Sequence, residues 1–144
     1  MNKYISVPNT EQKATATTPQ GTAGSLFTVS GRVFIDQIIG EVTVEIGAGA
    51  NNTKLVSNPT VGADVDLCAI TDIDADVVGT LYHITGTMVN AMIATTSGAF
   101  EAQPTSVVVS DGTIDLNCTG STAGSIKWTV IYRAIDNASS VTAV

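Results

Sequence analysis

The chain has 144 residues, of which 44% are hydrophobic and only 13% charged, against roughly a quarter charged in an average soluble domain. Thirteen acidic side chains against six basic ones give a net charge of −7, which repels phosphate backbones and argues against nucleic-acid binding. No apolar run approaches the roughly 20 residues of a membrane-spanning helix, and no charged start leads into an apolar stretch, so a soluble chain made and assembled in a cytosol is expected.

Residues 1–24 contain Pro8 and Pro19, a Thr/Ala/Gln-rich stretch and no sustained periodicity, and they read as an extended N-terminal arm. Fully stretched, the arm reaches on the order of 80 Å at about 3.3 Å per residue, well past the roughly 14–15 Å radius of gyration expected of the body. Its few apolar groups hardly offset the conformational entropy of ordering it, so a neighbouring chain is expected to hold it. Tyr4, Ile5 and Val7 are the residues expected to pack on that neighbour, with Leu26 and Phe27 fixing where the arm leaves the body. Charge is divided unevenly along the chain. Lys3, Lys13 and Glu11 leave the arm net positive by one and residues 25–144 net negative by eight, which suits an arm lying on another acidic body.

From residue 25 a period of two takes over. Residues 26–29 and 33–39 read as strands, and in 41–46 Val42, Val44 and Ile46 share one face while Glu41, Thr43 and Glu45 take the other. Residues 54–57, 65–70 and 78–85 follow, rich in β-branched side chains and punctuated by Gly or Asn. The stretch 87–96 fits either a short helix, through Val89, Met92 and Ile93, or a strand. Within 107–116 the pair Asp111-Gly112 has the chemistry of a two-residue hairpin turn, whose central positions need positive φ. Residues 125–135 form the strongest strand, with Ile126, Trp128, Val130, Tyr132 and Ala134 in one phase. Residues 137–144 read as a C-terminal tail. About eight short strands with frequent turns predict an all-β body over 25–136, a compact antiparallel β-sandwich or barrel-like domain carrying an extended N-terminal arm.

Little in the chain offers reaction chemistry. His83 is the only histidine, so a zinc site or a Ser-His-Asp triad would have to use it, and no HExxH, CxxC or GxSxG pattern surrounds it. It reads as an ordinary strand histidine. Asp64, Asp66, Asp72, Asp74 and Asp76 superficially suggest calcium, but an EF-hand loop starting at Asp72 needs Gly and Glu where Val77 and His83 stand. These carboxylates read as a solvated strand edge or loop, with cation binding left open; on an edge they would also block unwanted pairing. Cys68 and Cys118 sit in apolar-polar alternation like small core hydrophobes, and two reduced thiols are expected, with a disulfide between them left open. No catalytic, cofactor-binding or metal-ligating residue is expected, and the chain reads as no enzyme.

The run Ser25-Leu26-Phe27-Thr28-Val29-Ser30-Gly31-Arg32-Val33, the run from Lys54 through Pro59 and Asp64 to Cys68, and the run from Gly79 to Thr87 together resemble structural proteins of tailed bacteriophages, particularly head decoration (cement) proteins. The resemblance covers roughly residues 25–95 and rests on strand-and-turn texture. It implies a small β-rich subunit of the virion, often a homotrimer, assembled in the host cytoplasm and seated on the capsid surface at three-fold or quasi-three-fold positions. Its partners would be the major capsid protein and further copies of itself, with arms lacing across capsomers, no cofactor and no catalytic residues. The alternatives are another phage subunit (tail tube, baseplate or fibre) or a host-surface or glycan-binding β module. A glycan module calls for clustered exposed aromatics, whereas Tyr82, Trp128 and Tyr132 lie in strand phases that look core-facing.

Overall fold

The structure, a computed structural model, describes residues 7–13, 18–21 and 24–144. Among the described residues there are twelve strands and no helix: β1 (Asn9–Gln12), β2 (Ser25–Ser30), β3 (Val33–Val44), β4 (Asn52–Pro59), β5 (Val65–Asp66), β6 (Thr71–Asp72), β7 (Leu81–His83), β8 (Ile93–Thr95), β9 (Val107–Val109), β10 (Gly112–Cys118), β11 (Ser125–Ala134) and β12 (Ser140–Ala143). They form two six-stranded antiparallel sheets packed against each other as a β-sandwich, not a closed barrel. The first sheet runs β1-β11-β3-β7-β8, with β9 also on β3; the second runs β12-β2-β10-β4-β5, with β6 also on β4.

Alternation sets the inner faces. In β11 every second residue from Ile126 to Ala134 is buried, against Val33, Ile35 and Val42 of β3, Leu55 of β4 and Ile114 and Leu116 of β10. At the centre of the first sheet, Gly40 stands between its cross-strand partners Trp128 and Tyr82. The missing side chain leaves a slot in which the two rings stack, centroids 6.4 Å apart. A Cβ on Gly40 would lie 2.8 Å from the indole ring of Trp128.

Bulges decide where simple alternation fails. Val44 is exposed, contrary to the expected shared face with Val42 and Ile46, because Ser125 pairs Val44 while Ile126 pairs Val42. Thr43 is thus the extra residue of a bulge, its hydroxyl bonded to Ser125, and Val44 beside it faces outward while Ile46 returns to the core. Asp36 is the extra residue of a second bulge in β3, where its carboxylate takes a two-point hydrogen bond from Arg133 at 2.6 and 2.8 Å. A third bulge, between Ile114 and Asp115, leaves Leu26 without a partner in β2, and both Leu26 and Phe27 turn into the core.

The expected hairpin at Asp111-Gly112 does not form. β9 pairs only with β3 of the first sheet and β10 with β2 and β4 of the second, so Asp111-Gly112 is a corner where the chain changes sheets. The same chemistry serves the corner. The Asp111 carboxylate accepts from the Gly31 N–H and the Thr60 hydroxyl, each at 3.0 Å, and its carbonyl accepts the Thr60 N–H. Gly112 has φ +151°, and a Cβ there would collide with the Asn58 carbonyl.

Other segments depart from expectation in extent. Residues 33–39 and 41–46 merge into the single strand β3, which ends at Val44, 65–70 shortens to Val65–Asp66, and 78–85 to Leu81–His83. The ambiguous 87–96 resolves into a turn followed by β8. Within the segments read as arm and tail, Asn9–Gln12 pairs with β11 and Ser140–Ala143 with β2. These two edge strands flank the same side of the sandwich, where Glu11 Oε1 accepts the Ala143 N–H at 3.0 Å and Lys13 Nζ donates to the Val144 carbonyl. On the opposite side, an Ala69–Ala91 bridge joins the loops of the two sheets.

Candidate interaction surface

The sequence-derived contact residues do not gather in one place. Tyr4 and Ile5 lie outside the described residues. Val7 is 62% exposed just ahead of β1, while Leu26 and Phe27 are wholly buried in the sandwich core, so a partner has no access to their side chains.

The acidic cluster is mostly tied to its own loops. Asp72 Oδ1 accepts the Asn51 and Asp74 N–H groups at 2.8 and 3.1 Å, and Asp74 Oδ1 accepts the Gly49 N–H at 2.6 Å. Asp76 accepts the Tyr82 hydroxyl at 2.6 Å, and Asp66 pairs with Lys54 at 2.8 Å. Burial first and then the Asp76 carboxylate push the Tyr82 hydroxyl pKa strongly upward. Among the described residues no three His, Cys, Asp or Glu side chains converge as a metal-ligand set.

Both cysteines are free and buried. Cys118 Sγ accepts from the Thr53 hydroxyl and Cys68 Sγ from the Leu55 N–H, each at 3.4 Å. Burial raises both thiol pKa values, which suppresses the nucleophilic thiolate. His83 belongs to β7, as expected of a strand histidine; it stacks face to face on Phe100 with centroids 3.8 Å apart, and its Nε2 lies 3.1 Å from Thr95 Oγ1. Burial lowers its pKa, which favours the neutral imidazole. Beside it a recess of about 280 Å³ is lined by Ile84, Ile93, Glu101 and Pro104.

A second recess, of about 250 Å³, has a different character. Pro59, Val61 and Val65 from the β4–β5 connection, Val108 of β9 and Met88 line it, over a floor that includes Leu67. Four of these are exposed aliphatic or thioether side chains: Val61 at 89%, Val108 at 52%, Val65 at 45% and Met88 at 39%. The sheet topology explains why they meet. β7 and β9 lie end to end along one edge of β3, as β5 and β6 do along β4, and the corner at Asp111 brings the β9 end of one sheet to the β5 end of the other. Among the described residues β9 has no strand partner but β3, and β5 none but β4. The recess is therefore a groove between two open strand edges, with exposed aliphatic side chains beside the polar Ser57 and Ser110.

Sequence reasoning missed this groove. Its one legible signal was Val61, an aliphatic residue in a Pro59-Thr60-Val61-Gly62 turn, where polar residues are the rule. Val108 and Met88 gave none, because their exposure depends on which sheet each strand joins. Tyr82 and Trp128 are buried and Tyr132 nearly so, in line with their core-facing phases, so these three rings do not form a sugar-stacking platform.

No family model, curated protein or solved structure matches this chain.

Proposed function

We propose that the chain is a non-enzymatic virion subunit of the head decoration (cement) type, binding the assembled capsid surface and stabilising it through inter-subunit contacts. The observation that carries this reading is the groove of Val61, Val65, Met88 and Val108, an exposed aliphatic surface on a chain with very few charges to solvate it. Such patches on a soluble fold mark contact surfaces. Phrase-level resemblance to tailed-phage structural proteins supplies the kind of particle.

The energetics follow from burial and mass action. Apolar surface removed from water contributes about 25 cal/mol per Å², and a ligand that binds only the closed shell stabilises it in proportion to its occupancy. Many copies on one lattice add avidity. The test is to add purified protein to heads that lack it and follow co-sedimentation and the shell's thermal transition. Saturable binding and an upward shift of the transition are expected, with a Val61→Asp/Val108→Asp variant binding at least tenfold more weakly. Failure of the unsubstituted protein to bind heads would refute the assignment.

A further inference from the structure

We infer that the groove between β9 and β5 is a strand-acceptor site whose occupant is the N-terminal segment, residues 1–7, of a second copy of this chain. This rests on reading the chain as an assembling subunit and names which surfaces meet. The acceptor side is described above: a trough of mixed lining with four exposed apolar side chains, flanked by two short strands, each with one edge unpaired among the described residues. Adding an extended peptide to such an edge satisfies its backbone groups, and alternate side chains drop into the apolar recess.

The donor follows from sequence, length and charge. In Met1-Asn2-Lys3-Tyr4-Ile5-Ser6-Val7, β-branched Ile5 and Val7 are two apart and would share one face of an extended strand. Pro8, next in line, cannot donate a backbone N–H and marks the end of any such pairing. Lys3 makes the segment cationic, and Asp64, exposed on the groove loop between Ala63 and Val65, offers the opposite charge.

Geometry favours a neighbour over the same chain. Asn9, Tyr132, Ile35 and Val107 stand in one row across the first sheet, so β1 lies three strand spacings, roughly 14 Å, from β9. Crossing that distance consumes about four residues at 3.3 Å each. A path within one chain therefore spends Ile5 and Val7 on the outer face of the sheet and brings only the first residues to the groove. A donor from a second copy is free of that constraint. Because donor and acceptor are different surfaces, the contact is head-to-tail and closes into a ring when the rotation permits.

Mutual complementation tests this with the full-length chain. Ile5→Asp disables the donor and leaves the groove intact; Val108→Asp disables the groove and leaves the donor intact. Val108 is half exposed, and circular dichroism with urea midpoints checks that each variant folds; Val61→Asp replaces Val108→Asp should β9 not tolerate the charge. Light scattering over a concentration series is expected to find the unsubstituted chain associated, each variant monomeric at tenfold higher concentration, and an equimolar mixture of the two forming dimers through the single intact donor–acceptor junction. An unsubstituted chain that stays monomeric, or a mixture that stays monomeric while the unsubstituted chain associates, overturns the inference. No capsid enters this experiment, so its failure leaves head binding standing, and loss of head binding leaves a positive result here intact.

Discussion

Gly40 shows how much a single missing side chain can organise. Its two cross-strand neighbours, Trp128 and Tyr82, close over it, and no β-carbon fits beneath the indole. Gly40→Ala places an atom 2.8 Å from a buried ring that has nowhere to go. The cost of overpacking, about 1–3 kcal/mol, exceeds the roughly 0.4–1 kcal/mol that alanine gains by restricting the unfolded chain. Urea denaturation should show a lower midpoint with an unchanged slope; an unchanged or higher midpoint would mean that the rings repack without strain. The sequence made Trp128 legible as a core residue through the phase of β11. It did not reveal why Gly40 interrupts β3, because that reason sits on two other strands. Val44 and Leu26 teach the same lesson. Alternation assigns a face only until a bulge, set by the opposite strand, shifts the phase.

Strand existence was largely legible at the scale of elements, whereas partnership was not. β2, β3, β4, β10 and β11 announce themselves by β-branched alternation, and the Asp111-Gly112 turn was correctly placed yet does a different task. A hairpin and a sheet-changing corner demand the same positive-φ glycine; long-range bonds from Gly31 and Thr60 to Asp111 select the corner. β1 and β12 escaped notice because they are short and polar, and edge strands bury little. Both still cover the margin of the sandwich, since β1 caps β11 over four residue pairs and Glu11 reaches across to β12. Deleting residues 2–13 removes β1 and bares the β11 edge. A stability loss of about 1–3 kcal/mol and concentration-dependent aggregation are expected. Deleting residues 2–8 alone leaves β1 in place, so at dilutions where the copies are dissociated the urea midpoint should stay where it was; equal losses from both deletions there would show that β1 contributes nothing.

For the whole molecule, the class was readable in the sequence: many short strands with frequent turns lead to an all-β sandwich or barrel, and the two packed sheets decide for the sandwich. The groove was not readable, since it exists only where the β9 end of one sheet meets the β5 end of the other. Among the described residues nothing covers its four exposed apolar side chains. On the reading proposed above such a body would act by adhesion, its effect growing with the number of copies engaged on one lattice.

The central claim is most directly tested by imaging the particle. A cryo-electron microscopy reconstruction of heads saturated with this protein should place its density on the outer head lattice at three-fold or quasi-three-fold positions, with Val61 and Val108 covered by a neighbouring chain. Density confined to the tail, or a head surface left bare at saturating protein, would contradict the account.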